Sequence, residues 1–430
     1  MMRITAVAAI LSILYACSPV SPARLHKSLE RTEKRFQDHA GFVLFDPERG
    51  RTIVDYNGDR YFTPASNTKI FTLFASLRIL GDSIPALHYT QVGDSLIFWG
   101  TGDPSFLYKE VFHDSTVYQF LAGAPQQLYF SKANFHTTRF GNGWAWDDYN
   151  TRYSPERSPF PIYGNLVTAI ADHELLDVRP EYFATAFTRA VPEERARVVR
   201  CEHENQFVLY PADRITTVRE INVPFITDSA TVLNLLADTL GRPVFGADVP
   251  LPTYRNTIYS VHADSLYKVM MQESDNFIAE QLLLLCAQVL SDSLKTEIAI
   301  DFVKKHYLDD LVDEPVWVDG SGLSRYNLFT PRSIVQLWTK IDGMVPRERL
   351  FPLLATGGVS GTLRNWYRAE TPYIFGKTGS LSNNHCLSGF LVTRKGKVLI
   401  FSFMNSNYIQ SGTAIRQNME EILRNIYEKY

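Results

Sequence analysis

The sequence lacks an excess of charge of either sign. Its 43 Lys and Arg residues face 46 Asp and Glu residues, which gives a formal net charge of −3. A nucleic-acid-binding domain would carry a basic excess, so this balance argues against DNA or RNA as a partner. Beyond the N-terminus there is also no run of about 20 apolar residues that would span a membrane. With 45% hydrophobic residues in a chain of 430, the composition indicates a globular protein of two or three domains.

Cysteine is scarce as well. The four cysteines are Cys17, Cys201, Cys286 and Cys386, and no set of Cys and His has the spacing of a zinc site. Cys286 and Cys386 lie in apolar segments, as small buried side chains do. We therefore expect no zinc site of Cys and His residues and no disulfide framework.

The N-terminus has the pattern of an export signal. A short basic start is followed by a mostly apolar segment, residues 4–14, which is too short to span a bilayer. Leu14-Tyr-Ala-Cys17 then resembles a bacterial lipobox, in which the thiol of the cysteine is acylated. This predicts a lipoprotein-type signal peptide over residues 1–17 and an exported, periplasmic protein held to a bacterial membrane through Cys17. Because Tyr15 is bulkier than the usual residue, a plain secretory signal cut nearby is the alternative.

Along the remaining chain the predicted secondary structure changes in character twice. Helical and strand patterns at both ends flank short β-rich runs between residues 86 and 257. We therefore predict an α/β (α+β) fold in which residues 18–85 and 258–430 form one catalytic domain around a mostly β insertion. Helices are predicted at 262–272, 275–290, 293–306, 331–341 and 346–354, and a strand pair follows at 387–392 and 398–403.

The first chemical motif is Ser66-Asn-Thr-Lys69. A Ser and a Lys three residues apart at a helix start lie on one face. A hydroxyl is a weak nucleophile, and a desolvated Lys is a suitable base for it. A second Ser-x-x-Lys pair, Ser265 and Lys268, is interpreted as surface helix. The apolar helix that follows Ser66 favours the first pair, because it draws Lys69 towards the interior.

Two further motifs follow at long intervals. Ser274-Asp-Asn276 lies between two helical patterns, where such residues ordinarily cap a helix. Lys377-Thr-Gly379 precedes the strand pair, so it is predicted to lie on an edge strand lining a cleft. A phosphate-binding loop is excluded at Gly376-Lys-Thr378, because position 371 is Thr instead of Gly and no helix pattern follows.

In this order, the three motifs match the signature of penicillin-binding proteins and serine β-lactamases. Longer matching segments resemble the class C penicillin-binding proteins, the D-Ala-D-Ala carboxypeptidases of peptidase family S13; they are Pro64–Lys69, Gly102–Pro104, Gly143–Asp148, Asp319–Asn327 and Gly376–Ser380. The separation of Ser66 and Ser274, 274 − 66 = 208 residues, fits the extra domains of that family. The resemblance implies a transpeptidase domain of helices on an antiparallel sheet, with the insertion beside the cleft.

The resemblance also implies catalytic roles, for a chemistry that needs no metal ion and no cofactor. Ser66 would be the acylated nucleophile and Lys69 the base that takes its proton. Ser274 would relay a proton to the leaving amine, Asn276 would hold the substrate amide, and Lys377 would supply positive potential.

Substrate-binding roles follow in the same way. Thr378, with Gly379 and Ser380 beside it, would bind the terminal carboxylate of D-alanine, and the backbone N–H groups of Ser66 and Ser380 would form an oxyanion hole.

Three residues would grip the free end of the substrate's diamino-acid side chain, which carries both an ammonium and a carboxylate. These are Asp148, Tyr153 and Arg325, with Asp147 as a competitor one position away. The alternative is that they form a helix cap and a surface charge.

The implied function is that of a penicillin-binding serine carboxypeptidase or DD-endopeptidase on peptidoglycan stem peptides, with β-lactams as covalent inhibitors. The motifs do not choose between the two peptidase activities. A β-lactamase or esterase on the same scaffold, which would need a deacylating base that the sequence does not reveal, and a non-catalytic envelope-binding protein are the alternatives.

Overall fold

The computed structural model describes residues 21–111, 115–214 and 217–430. The predicted signal peptide and Cys17 lie outside these ranges. The α-helices in the described ranges are α1 (Pro22–Phe36), α2 (Lys69–Ile79), α3 (Thr116–Gly123), α4 (Ser229–Leu240), α5 (Ala263–Gln272), α6 (Asn276–Ser291), α7 (Thr296–Tyr307), α8 (Pro331–Asp342), α9 (Arg347–Leu350) and α10 (Gly412–Lys429). Not one helix in this part of the chain combines the length and the apolar character that crossing a membrane requires.

Strands occupy both ends and the middle of the described chain. They are β1 (His39–Asp46), β2 (Arg51–Tyr56), β3 (Ser83–Val92), β4 (Ser95–Gly100), β5 (Gln127–Ser131), β6 (Leu166–Ala171), β7 (Leu175–Arg179), β8 (Phe187–Arg189), β9 (Arg197–Arg200), β10 (Phe207–Tyr210), β11 (Arg219–Pro224), β12 (Val244–Ala247), β13 (Asn256–His262), β14 (Ala355–Thr356), β15 (Ile374–Leu381), β16 (Asn384–Val392) and β17 (Val398–Ser406).

A six-stranded antiparallel sheet joins the two ends of the chain, in the order β14-β15-β16-β17-β1-β2. Side chains alternate between its faces, and both faces are covered. On one face α1 and α10 pack Leu29 and Met419 against Phe403, whereas on the other α2, α6 and α8 bury residues such as Phe71 and Trp338. The sheet is therefore a middle layer between two helical layers, as the predicted fold class requires.

The middle of the chain forms separate sheets beside this domain. A five-stranded sheet has the order β12-β5-β4-β3-β13, and two three-stranded sheets have the orders β8-β10-β9 and β11-β6-β7. The Gln281 side chain on α6 donates to the carbonyls of Gly102 and Ser158, at 2.8 and 2.9 Å, so this region packs directly on α6. We keep the division at residues 86 and 257 as a proposal; the five-stranded sheet extends slightly further, over residues 83–262.

Two local predictions need correction. The strand with Lys377-Thr-Gly379 is not the edge of the sheet, because the two residues of β14 pair with Phe375 and Gly376 of β15. That pairing stops before Lys377, so the motif itself still borders open space. The helix predicted at 346–354 is only one α-helical turn, α9, followed by a 3-10 turn, since Pro352 cannot donate the next helical hydrogen bond.

Candidate active site

The turn that carries Ser66 is pinned to the central sheet. Ser66 lies in a 3-10 turn, Ala65–Thr68, directly before α2. Ala65 has a φ of 48°, a strained left-handed conformation for a residue with a side chain. The Asn67 side chain fixes the turn, because it donates to the Lys377 carbonyl at 3.1 Å and accepts from the Ser388 hydroxyl at 2.6 Å. The position of Ser66 is thus set by β15 and β16.

Two glycines let neighbouring segments approach this turn. A Cβ on Gly379 would lie 2.4 Å from the Pro64 carbonyl oxygen, and one on Gly322 would lie 1.9 Å from that of Ala65. Gly322 also has a φ of +83°, which favours glycine. Packing alone therefore requires Gly379, and its predicted part in substrate binding stays a prediction.

Lys69 lies directly beneath the Ser66 hydroxyl. Its side chain is fully buried, and Nζ lies 2.9 Å from Ser66 Oγ, 2.6 Å from Asn276 Oδ1 and 2.6 Å from the Ser321 carbonyl oxygen. A neutral amine has two N–H bonds and one lone pair. The two short contacts to carbonyl oxygens take the N–H bonds, which leaves the lone pair facing the hydroxyl. This is the geometry of a base.

The electrostatic surroundings of Lys69 support the same role. Burial lowers its pKa to about 8, while the charges of Asp319, Asp275 and Glu280 oppose that shift. At pH 7 Lys69 is therefore still mostly protonated, but its neutral fraction is far larger than that of an ordinary lysine.

Asp319 and Glu280 build the loop that closes this site from behind. Asp319 accepts from the backbone N–H groups of Gly322 and Ser324 at 2.9 and 2.7 Å. Glu280 Oε1 accepts from the N–H groups of Gly320 and Ser321 at 3.0 and 2.8 Å. The Ser321 carbonyl accepts a hydrogen bond from Lys69, and two buried carboxylates hold the loop that carries this carbonyl. Sequence reasoning missed Glu280, although a single charge inside the apolar run of α6 was a signal.

Glu280 in turn contacts the inserted region. Arg157 lies 3.5 Å from Glu280, and their side chains are 4% and 1% exposed. Burial and the charge of Asp319 raise the pKa of Glu280 to about 7. Sequence analysis gave Arg157 no role, because the pairing depends on how the insertion packs on α6.

Ser274 forms a second hydroxyl–amine pair opposite Ser66. It has a left-handed φ of 63°, and Lys377 Nζ donates to Ser274 Oγ at 2.8 Å. Lys377 is fully buried, and burial together with the charge of Lys69 holds its pKa well below the ordinary value. The neighbouring Asp275 caps α6 by accepting from the Ile278 N–H at 2.8 Å. The motif thus combines a cap with a site residue.

Asn276 links the two halves of the cleft. Its Oδ1 accepts from Lys69, and its Nδ2 donates to the Tyr153 carbonyl at 2.9 Å. The first residue of α6 therefore positions both Lys69 and the inserted segment.

On one side of Ser66 a cavity of about 330 Å³ opens towards α10. Ser66, Ser274, Thr378 and Ser380 line it. Thr378 Oγ1 donates to Thr362 Oγ1 at 2.7 Å. The hydroxyls predicted to bind the carboxylate thus face the same space as Ser66.

On the other side, a cavity of about 530 Å³ brings Asp148, Tyr153 and Arg325 together with Ser66 and Asn276. The Tyr153 hydroxyl donates to Asp148 Oδ1 at 2.7 Å, and Arg325 is exposed at the rim.

The competing residue Asp147 also lines this cavity, but it has no such bond to Tyr153. The Trp144 indole donates to Asp319 Oδ2 at 2.9 Å, which anchors the inserted segment to the loop that carries Arg325.

Elsewhere, Cys201, Cys286 and Cys386 are unpaired. Among the residues that the structure describes, no three His, Cys, Asp or Glu side chains are grouped to hold a metal ion.

Comparison with known proteins gives consistent matches over nearly the whole chain. The chain is 23% identical over 444 residues to the D-alanyl-D-alanine carboxypeptidase DacB of Haemophilus influenzae, covering 91% of each protein. It is 26% identical over 472 residues to a D-alanyl-D-alanine carboxypeptidase of an Actinomadura species, covering 93% of this chain and 86% of that one. Both of these relatives are thus matched over most of their length.

Solved structures show the same fold. The crystal structure of penicillin-binding protein 4 (dacB) from Haemophilus influenzae matches with a TM-score of 0.76 at 20% identity, over 95% of this chain and 98% of that one. A predatory peptidoglycan endopeptidase from Bdellovibrio bacteriovorus matches with a TM-score of 0.53 at 14% identity, over 91% and 95%. These matches confirm the predicted fold class.

A family model decides the classification. The model described as the D-Ala-D-Ala carboxypeptidase 3 (S13) family matches residues 23–208 and 256–426. The first segment contains the Ser66 motif, and the second contains the Ser274 and Lys377 motifs. Together the two segments cover well over half of the chain. The family predicted from the motifs is confirmed: this chain belongs to the D-Ala-D-Ala carboxypeptidase 3 (S13) family.

Proposed function

We propose that this protein is a penicillin-binding serine D-Ala-D-Ala peptidase that acts on peptidoglycan stem peptides through an acyl-enzyme on Ser66. One observation carries the proposal. A buried Lys69 with a lowered pKa lies 2.9 Å from the Ser66 hydroxyl, at the meeting point of two cavities. The family to which the chain belongs indicates the class of reaction, and the two relatives named above are carboxypeptidases.

Acylation would proceed from this arrangement. Lys69 takes the hydroxyl proton as Ser66 Oγ attacks the carbonyl carbon of the penultimate D-alanine. The C–O bond forms, the C–N bond to the terminal D-alanine breaks, and the leaving amine receives a proton from Ser274. Lys377 is hydrogen-bonded to Ser274 and is the group placed to restore that proton.

In this proposal Lys377 has a different role from the fixed positive charge that the resemblance implies. Burial and the nearby Lys69 both disfavour its charged form. A lysine that alternates between the two protonation states serves a proton relay better than it serves as a permanent cation.

Hydrolysis would complete the cycle. The proton held by Lys69 first passes back to Lys377, through the hydroxyl groups of the site or through solvent, so that Lys69 is neutral again. A water molecule then attacks the carbonyl carbon of the D-alanyl ester while Lys69 accepts a proton from it, and Lys69 gives that proton to Ser66 Oγ as the ester C–O bond breaks. The products are the shortened stem peptide and a regenerated enzyme. No step needs a redox change.

We propose that the larger cavity selects the acyl donor. Asp148 and Arg325 offer opposite charges, and Tyr153 is bonded to Asp148. The free end of a diamino-acid side chain carries an ammonium and a carboxylate, so it is complementary to this pair.

Digestion of purified peptidoglycan, with chromatography of the products, tests this function. The wild type should release free D-alanine from pentapeptide stems, and loss of cross-linked dimers would add endopeptidase activity. Ser66→Ala should release neither, whereas Ser265→Ala, in the surface Ser-x-x-Lys pair, should behave as the wild type. If the wild type releases no product while folded, the proposal fails.

We also propose that the protein is exported and held at a membrane by acylated Cys17. The support is the basic start, the apolar segment and the lipobox-like Leu14-Tyr-Ala-Cys17 in the sequence.

A further inference from the structure

The cavity between Ser66 and α10 contains side chains that the proposed mechanism does not use. Besides the four residues already assigned, it is lined by Arg416, His385 and Trp366, among others. Arg416 lies near the start of α10, more than thirty residues after the Lys-Thr-Gly motif in the chain. Ser274, where the leaving amine would be protonated, lines the same cavity, so the rest of the leaving group would lie among the other lining residues.

Arg416 is a cation without an anion. One guanidinium nitrogen lies 3.5 Å from Ser380 Oγ, at the limit of a hydrogen bond, and Nε is buried with no hydrogen-bond partner. Among the described ion pairs, none involves Arg416, and no acidic residue lines the cavity. Partial burial of an unpaired guanidinium costs free energy, which a carboxylate with two oxygens would offset by bidentate pairing.

The guanidinium is held in place by an aromatic face. Its central carbon lies 5.9 Å from the centroid of the Trp366 ring, within the range of a cation–π contact. The long side chain is therefore partly ordered before any ligand arrives, which lowers the entropy cost of binding.

His385 does not compete as a cation. It lies 2.7 Å from Ser380 Oγ, and it is only 3% exposed. Burial and the charge of Arg416 hold its pKa at about 3, so the imidazole is neutral at working pH. A neutral imidazole can donate to or accept from Ser380, which lets the hydroxyl turn towards an incoming carboxylate.

We infer that Arg416 binds the α-carboxylate of the leaving D-alanine, with the Ser380 hydroxyl oriented by His385 beside it. The inference deepens the proposed function and depends on it. The carboxylate is attached to the carbon that bears the leaving amine, so a group near Ser274 must receive it. Among the residues lining this cavity, Arg416 is the only arginine, and an arginine keeps its charge at every working pH.

The test compares a stem-peptide substrate that ends in free D-alanine with the same peptide ending in D-alanine amide. The wild type should have a kcat/KM at least roughly tenfold higher for the acid, since a charged pair is lost in the amide. Arg416→Gln should lower kcat/KM for the acid at least tenfold and leave the amide almost unchanged. Arg416→Lys, which keeps the charge but loses the planar fork, should fall between.

The matched control is Arg424→Gln, two turns further along α10 and outside the cavity, which should retain the wild-type preference for the acid. Equal losses on both substrates in Arg416→Gln, or no loss at all, would overturn the inference. So would a wild type that hydrolyses acid and amide equally, and that result needs no variant to fold. If the wild type hydrolyses neither peptide and acquires no β-lactam adduct, the proposed function itself fails.

Discussion

Acylation of the enzyme should depend on pH through Lys69. The structure holds the pKa of Lys69 at about 8, because burial outweighs the nearby carboxylates. Only the neutral amine can accept the Ser66 proton, so the rate should rise with pH and level off above this pKa. The neutral fraction is roughly 1% at pH 6, 9% at pH 7 and 91% at pH 9. The second-order rate constant for benzylpenicillin should therefore increase about ninetyfold from pH 6 to pH 9.

An unperturbed lysine would give a different curve. With a pKa near 10.4 the rate would rise nearly a thousandfold over the same interval, without levelling off. The assay is timed acid quenching at several pH values, followed by intact-protein mass measurement of the adduct. A rate that still rises tenfold per pH unit beyond pH 9, or one that is flat from pH 6, would refute the role of Lys69 as a base with a lowered pKa.

Two variants sharpen this test. Lys69→Arg keeps a cation but cannot give up its proton, so acylation should fall at least a hundredfold. The exposed Lys268 of the surface pair provides the control, since Lys268→Arg should not change the profile. Glu280→Gln removes an anion that raises the pKa of Lys69, so the pH at which the acylation rate levels off should be lower than in the wild type. A shift of this pH to a higher value would contradict the sign of the interaction between Glu280 and Lys69.

Three further predictions concern substrate specificity, the stability of the fold and membrane attachment. Arg325→Ala or Asp148→Ala should reduce kcat/KM for diaminopimelate-containing muropeptides at least tenfold, about 1.4 kcal/mol, while benzylpenicillin acylation changes little; equal losses on both would make these residues structural. Glu280→Ala leaves Arg157 buried without its partner, so urea unfolding should show a loss of about 3–5 kcal/mol, and an unchanged midpoint would contradict the pairing. Cys17→Ser should release the protein from membranes into the soluble fraction or leave its precursor uncleaved, and a wild type already soluble after osmotic shock would exclude the lipid anchor.

The motif residues were predictable because their chemistry is local. Ser66 and Lys69 share one helical turn, and the order of the three motifs identified the family, which the family match confirms. Ser274 and Lys377 lie about a hundred residues apart, and resemblance placed them at one site, where the structure brings them to 2.8 Å. Their catalytic roles remain predictions until they are measured.

The residues that sequence analysis missed depend on tertiary packing. Arg416 lies on an amphipathic helix, α10, where an arginine is ordinarily a solvent-exposed charge, and only the docking of α10 on the sheet brings it to Ser380. His385 reaches the same hydroxyl because β15 and β16 pair in the register that sets it opposite Ser380. Neither proximity follows from spacing or periodicity, since both require the register of strands and the position of a distant helix.

The central claim is that Ser66 forms the acyl-enzyme, and intact-protein mass measurement after incubation with benzylpenicillin tests it most directly. The account predicts one stable adduct on the wild type, mapped by peptide sequencing to Ser66, and none on folded Ser66→Ala. Ser265→Ala should be labelled as the wild type is. An adduct that persists in Ser66→Ala, or one that maps to another residue, would contradict the account.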